Sequence, residues 1–86
     1  MPRESGKVKV IVATGVGITE AIKAALPLSI SDFAERYQLA RTAVSMCIHG
    51  RQRHERVREA LARELNVDRA WLDEQLDALM AKRRAA

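Results

Sequence analysis

Residues 29–50 have the sequence SISDFAERYQLARTAVSMCIHG, and this stretch decides the fold. Its apolar residues fall at helical spacing in two short runs that a turn separates. Phe33 and Tyr37 share one face of the first predicted helix, and the small side chain of Ala34 lets a second helix cross close above it. The second predicted helix has its own inward face, which comprises Val44, Cys47 and Ile48. The pattern predicts two short helices packed across a tight turn.

The outward side of the second helix is polar and remains free. It carries Arg41, Thr42, Ser45 and Met46. A DNA major groove is wide enough to accept an α-helix, so these four residues are candidates for reading base edges. Two crossed helices with such an outward face form a helix-turn-helix, and the sequence predicts that residues 40–49 are its recognition helix.

Composition limits the alternatives. The chain has 86 residues, enough for one domain, and 48% of them are hydrophobic, enough for a helical core. Aromatic residues are 3% of the chain, which argues against binding of a single strand by base stacking. The net charge of +4 and the pI near 9.8 favour a polyanionic partner. The single cysteine excludes an intrachain disulfide and suits a reducing cytoplasm.

The rest of the chain is predicted to support this unit. Residues 1–17 are expected to form an N-terminal arm or short strand, because KVKVIV at 7–12 alternates charged and β-branched side chains. Residues 18–82 form the helix-turn-helix domain, with helices also expected at 19–26, at 55–65 and after Asp68. Ser29, Gly50 and Asn66 are predicted to cap helices. Residues 83–86 are a basic tail.

The stretch 30–49 resembles the helix-turn-helix of lambda repressor/Cro-like proteins, also called Xre-type. NVDRAWL at 66–72 resembles the closing part of that fold, so the similarity covers about two-thirds of the chain, from Thr19 to Leu76. The chain is also similar to Ner-like regulators of transposable phages. This resemblance implies an all-α fold of five helices, of which the second and third bind DNA. It also implies a repressor that acts as a dimer on palindromic operators.

Carried over residue by residue, the resemblance implies two groups of contacts. Base contacts fall on Arg41, Thr42, Ser45 and Met46, and DNA-backbone contacts fall on Ser29, His49, Arg51, Gln52 and Arg53. Two positions depart from the family pattern. Ile30 stands where the family often has Gln, and Gln38 stands at the turn position that the family usually gives to Gly. A left-handed backbone at Gln38 costs about 1 kcal/mol more than at Gly.

Two other surfaces have predicted roles. A stripe on the last helix, Leu72, Leu76, Leu79 and Met80, is longer than a small bundle needs, so it is expected to form a homodimer interface. Such a dimer places two recognition helices about 34 Å apart. The alternative is that the stripe packs on the first helix. Arg56, Arg58 and Arg63 are expected to form surface ion pairs, with Glu59 and Arg63 paired along one helix.

The remaining candidates for chemistry are weak. Cys47, His49 and His54 are too few for a zinc site, and Cys47 lies on the predicted inward face. Cys47 and His49 point apart on a helix, so they cannot act as nucleophile and base. We expect no catalysis, metal, cofactor or small-molecule ligand.

The sequence therefore predicts a sequence-specific double-stranded DNA-binding regulator, a homodimeric repressor in the cytoplasm of a bacterium or a phage-infected host, with no membrane association. One alternative keeps the fold and makes the chain an architectural or excisionase-like DNA-binding protein. Another makes it an antitoxin-type protein-interaction module.

Overall fold

The computed structural model describes residues 7–85 and consists of helices throughout, with no strand in that range. The six helices are α1 (Lys7–Ala13), α2 (Ile18–Ala25), α3 (Ile30–Arg36), α4 (Arg41–Ile48), α5 (Glu55–Leu65) and α6 (Arg69–Ala85). The all-α prediction is confirmed, and α2 to α6 lie close to the five predicted helices. The predicted arm at residues 1–6 and Ala86 of the predicted tail lie outside the described residues.

The predicted strand at 7–12 is wrong, because these residues form α1. Val8 is fully buried, and Ile11 and Val12 pack against the core. These positions follow the i, i+3, i+4 spacing of a helix face, while Val10 on the outer side is 66% exposed. Packing against the bundle therefore outweighs the β preference of the branched side chains. Helix α1 therefore packs on the same core as the helices that follow it.

Helix α2 holds the C-terminal end of α4 in place. Ala21 and Ile22 are completely buried in the core. The hydroxyl of Thr19 donates a hydrogen bond of 2.8 Å to the backbone carbonyl of Ile48. This bond satisfies one of the carbonyl groups that a helix end leaves without an intrahelical partner. It fixes the last turn of α4 against α2.

Three helices end in the same way. Gln38, Gly50 and Asn66 have φ angles of 55°, 72° and 56°, in the left-handed region. After each of them the next residue donates its backbone N–H five residues back, as Leu39 does to Ala34 at 2.8 Å. This is the Schellman motif, which ends a helix sharply. The predicted caps at Gly50 and Asn66 are confirmed, and the departure at Gln38 is accommodated in a left-handed conformation.

The helix starts are less uniform. Ser29 caps α3 as predicted, since its hydroxyl accepts the backbone N–H of Asp32 at 3.1 Å. The side chain of His54 caps α5, accepting the N–H of Val57 through Nδ1 at 3.4 Å. Ala40 precedes α4 and provides no side-chain cap. The N-terminal amide groups of α4 therefore have no side-chain acceptor there.

Helix α6 packs on α5 through apolar residues and one buried charge. Leu72 and Leu76 are completely buried, and so is Arg58 from α5. The prediction that Arg58 forms a surface pair is wrong, because its side chain is buried between α5 and α6. Its guanidinium group forms ion pairs there with Asp73 and Asp77. Asp73 is half-buried and holds this arginine. No helix among residues 7–85 is both long enough and apolar enough to cross a membrane.

Candidate nucleic-acid interface

Helix α4 presents its polar residues outward, mostly at its N-terminal end. Arg41 and Thr42 are exposed, whereas Ser45 and Met46 are half-buried. The opposite face is anchored in the core by three buried side chains, Val44, Cys47 and Ile48. A helix held along one face with a polar N-terminus in solvent has the geometry by which recognition helices meet base edges.

The five predicted backbone-contact residues lie around this helix in different states. Arg51 and Gln52 are exposed in the loop after α4. Ser29 is exposed, but its oxygen is engaged in capping α3. The ring of His49 is half-buried, and its Nδ1 lies 2.8 Å from the carbonyl oxygen of Ser45. A carbonyl oxygen can only accept, so this hydrogen bond requires the proton to be on Nδ1.

Arg53 differs from Arg51 although they are two residues apart. The guanidinium group of Arg53 bonds Glu55 through Nε and lies 3.2 Å from Asp77 through Nη1. The bond to Glu55 raises the pKa of Arg53 and lowers that of Glu55. The charge of Arg53 is thus already balanced within the protein, which makes it a weaker candidate for a phosphate contact than the sequence predicts.

Internal ion pairs divide the arginines of residues 7–85 into two groups. Arg36, Arg53, Arg58 and Arg69 each pair with at least one carboxylate. Within the described part of the chain, no carboxylate lies at ion-pair distance from a second group, which comprises Arg41, Arg51, Arg56, Arg63, Arg83 and Arg84. The predicted pair between Glu59 and Arg63 is absent there, since Glu59 pairs with Arg69. Positive charge available to a partner therefore includes both ends of α4.

On the face that α5 and α6 share, Arg69 and the carboxylates around it neutralise one another through ion pairs. Arg69 bonds Asp73 through Nε at 2.8 Å and Glu59 through Nη1 at 3.0 Å, and it also bonds Glu55. Burial favours the neutral form of Asp73, but the hydrogen bonds from Arg69 and Arg58 outweigh it and lower the pKa of this carboxyl. A network that neutralises its own charges does not attract a polyanion.

A groove that the sequence does not reveal runs between the C-terminal ends of α4 and α6. It is lined by Met46, Gly50, Arg51, Met80, Arg83 and Arg84. The two helices meet at Gly50, where an added Cβ would lie 2.6 Å from Cγ of Leu79. The only signal in the sequence is the cluster of cations at its end, which was predicted to be a tail but is helical to Ala85.

A second, smaller concavity lies beside the helix-turn-helix turn. It is lined by Tyr37, Leu39, Arg56, Glu59, Ala60 and Arg63. The hydroxyl of Tyr37 donates to Oε1 of Glu64 at 2.8 Å. Burial is the main cause that raises the pKa of this phenol, and the bond to Glu64 adds to it. The contact fixes α3 on α5 and gives the helix-turn-helix a rigid base.

The sequence did not predict a metal site at Cys47, His49 and His54. Among residues 7–85, no group of three or more His, Cys, Asp or Glu side chains has the arrangement of a metal site. Cys47 is buried, and burial raises the pKa of its thiol. A thiol held in its neutral form is a poor nucleophile and a poor ligand.

The predicted dimer stripe is only partly on the surface. Leu72 and Leu76 are 0% exposed within a single chain, so assigning them to a dimer interface is wrong. They fill the space between α6 and the rest of the bundle, where α6 contacts both α5 and α2, and α2 is the helix on which the alternative interpretation places the stripe. Leu79 packs against the core with part of its side chain exposed, and Met80 is half-buried.

Comparison with known proteins found no matching family model, no matching curated protein and no matching solved structure.

Proposed function

We propose that this chain is a sequence-specific double-stranded DNA-binding protein of the lambda repressor/Cro-like type and acts as a transcriptional repressor. One observation carries the proposal. Helix α4 begins with exposed Arg41 and Thr42. In the described part of the chain, no carboxylate forms an ion pair with Arg41. An exposed arginine at the start of a rigidly mounted helix is suited to bidentate contact with guanine.

The contacts that hold α4 in place support the proposal. Its inward residues are buried, its C-terminus is held by the 2.8 Å bond from Thr19 to Ile48, and its start is set by the left-handed turn at Gln38. A recognition residue discriminates between bases only if its backbone is positioned to within a fraction of an ångström. The connections to α2 and α3 supply that positioning.

In the proposed complex, α4 enters the major groove with its N-terminal end towards the base edges. Arg41 donates to O6 and N7 of a guanine, and Thr42 bonds a neighbouring base edge or phosphate. Ser45 and Met46 are half-buried, so they contact DNA only where it approaches closely. Arg51 and Gln52 lie at the edge of this surface and bind phosphates, which fixes the register. Occupation of an operator then excludes RNA polymerase by steric overlap.

The proposal includes a two-fold dimer on a palindromic site. Leu72 and Leu76 are not part of its interface, because they are fully buried within the single chain. Half-sites about 34 Å apart on one side of the duplex are the expected signature of such a dimer.

The proposed function is tested by selecting bound duplexes from a random DNA pool at physiological salt and by measuring the mass of the complex. We expect a defined sequence, and loss of preference at one base pair in Arg41→Ala, worth about 1–3 kcal/mol. The matched control Arg51→Ala should weaken binding to all sequences alike. A pool that remains random contradicts sequence-specific recognition. Strong bending of the duplex instead indicates the architectural alternative.

A further inference from the structure

We propose that the groove between the C-terminal ends of α4 and α6 seats one phosphodiester strand of the bound duplex, and that Arg83 and Arg84 hold its phosphates together with Arg51. The inference rests on the proposed function and extends it to residues that the helix-turn-helix motif does not include. It makes the end of α6 a second DNA-binding segment, beside the recognition helix.

The length of α6 is the first observation. The helix has 17 residues, but its buried residues, Leu72 and Leu76, lie in its first half. From Ala81 to Ala85 every residue is exposed, and the helix nevertheless continues through this stretch. These last five residues therefore do not serve the core, and they project three cations, Lys82, Arg83 and Arg84, into solvent.

The contact at Gly50 is the second observation. A Cβ at Gly50 would lie 2.6 Å from Cγ of Leu79 and 3.3 Å from Cδ of Arg83. The side-chain stem of Arg83 therefore passes directly beside the residue that ends α4. Glycine at this position allows α6 to lie against the recognition helix and brings Arg83 next to the loop that carries Arg51.

The chemistry of the groove is the third observation. The groove is lined by three arginines, Arg51, Arg83 and Arg84, and by two methionines, Met46 and Met80. Across residues 7–85 no carboxylate pairs with any of these arginines. The sulfur of Met80 accepts a hydrogen bond of 3.5 Å from Nη2 of Arg58. A DNA strand alternates anionic phosphates with apolar deoxyribose faces, which matches cations beside flexible apolar side chains. In this proposal Met80, which was predicted to lie in the dimer stripe, belongs instead to the DNA-binding surface.

Cations at a helix C-terminus also complement the helix dipole, and this simpler role needs to be separated from DNA binding. Lys82 provides the comparison, because it lies in the same helical turn and carries the same charge, yet it does not line the groove. A dipole role predicts similar behaviour of all three cations, whereas a phosphate role singles out Arg83 and Arg84.

The experiment measures the DNA affinity of the full chain against salt concentration, with the selected duplex and with an unrelated duplex. The double variant R83Q/R84Q keeps most of each side-chain stem. We expect it to weaken binding to both duplexes and to reduce the slope of log affinity against log salt by about 1.8, since each phosphate contact contributes about 0.9. K82Q should change the slope by much less, and R83K/R84K should restore most of it.

Circular dichroism and thermal unfolding show whether R83Q/R84Q remains folded. A folded R83Q/R84Q with the wild-type slope overturns the groove as a phosphate site, even while the wild-type protein binds its selected sequence. An effect of K82Q as large as half that of R83Q/R84Q also overturns it, because only net charge then matters. If the wild-type chain binds neither duplex, the proposed function itself fails and this inference fails with it.

Discussion

The guanidinium group of Arg58 in α5 donates a hydrogen bond from Nη1 to Oδ1 of Asp73 in α6 at 3.0 Å. The Arg58 side chain is almost completely buried, with only 1% of it exposed. Nη2 donates to Asp77 at 2.8 Å, while Nε is buried and has no hydrogen-bond partner among residues 7–85. Burial disfavours the charged form of Arg58, but the bonds to Asp77 and Asp73 outweigh it and raise its pKa. One buried arginine thus joins α5 to α6.

Replacement of Arg58 should reveal whether its volume or its charge matters more. Arg58→Ala removes a fully buried side chain, and we expect the free energy of unfolding to fall by about 2–5 kcal/mol. Arg58→Met retains an apolar stem and removes the unsatisfied Nε, so its cost should stay below about 1.5 kcal/mol. Urea unfolding measures both. Equal losses in the two variants would show that the ion pairs, and not packing, carry the contribution.

The same network should make the fold sensitive to acid. The pKa of Asp73 is lower in the folded protein than its ordinary value near 3.9, so the folded state binds fewer protons than the unfolded chain. Its contribution is therefore complete above about pH 4 and is lost as the pH falls through the folded pKa. The urea midpoint should decrease below about pH 4, and the decrease should be smaller in Asp73→Asn. An unchanged pH profile in this variant contradicts the assignment.

The turn of the helix-turn-helix contains strain that glycine would remove. Gln38 has φ of 55°, a conformation that L residues adopt at a cost. Gln38→Gly should raise the free energy of unfolding by about 1 kcal/mol, a shift of about 4–8 °C in Tm for a domain of this size. The matched control Gln38→Ala keeps the Cβ and should leave Tm nearly unchanged. A stabilising effect of alanine equal to that of glycine would mean that the backbone conformation is not the cause.

Local signals in the sequence predicted most helix positions but not the pairing of their faces. Ser29, Gly50 and Asn66 mark helix ends through their own chemistry, and the structure has them in those roles. The strand prediction at 7–12 failed because the burial of Val8 against the bundle overrides β propensity.

Long-range packing also explains the errors on charged and apolar side chains. The burial of Arg58 depends on carboxylates 15 and 19 residues later in the chain, which no local pattern specifies. The spacing of Leu72 and Leu76 fits an exposed stripe and a buried core face equally well. Only the packing of the whole bundle shows that they are buried. The α4–α6 groove was missed for the same reason, since residues 50 and 79 meet only in the fold.

The approach of α6 to Gly50 can be tested through a series of glycine substitutions. Gly50→Ala adds a Cβ that would lie 2.6 Å from Leu79 and also requires alanine at φ of 72°. We expect a loss of about 2–4 kcal/mol, from backbone strain and overpacking together. Gly15→Ala is the control for strain alone, because Gly15 has φ of 99° with nothing within 4 Å. Gly17→Ala has neither penalty and should be nearly neutral in thermal unfolding.

The combined variant Gly50→Ala/Leu79→Ala isolates the steric part of this loss. If the clash is real, the two substitutions together should cost less than the sum of their separate effects. Additive losses would show that Leu79 moves aside without cost and that the two helices are not in firm contact.

The two loop arginines should differ in their contribution to DNA affinity. Arg51 has no carboxylate partner in the described part of the chain, whereas Arg53 bonds Glu55 and Asp77. A phosphate contact from Arg53 requires these bonds to break, so Arg53 should release fewer counterions from DNA than Arg51 does.

We expect Arg51→Ala to reduce the slope of log affinity against log salt by about 0.9 and Arg53→Ala to reduce it by less than half as much. After loss of Arg53, Glu55 remains paired with Arg69 and Asp77 with Arg58, so no unpaired carboxylate is created to repel the duplex. Equal slopes for the two variants would show that Arg53 leaves its internal partners when DNA binds.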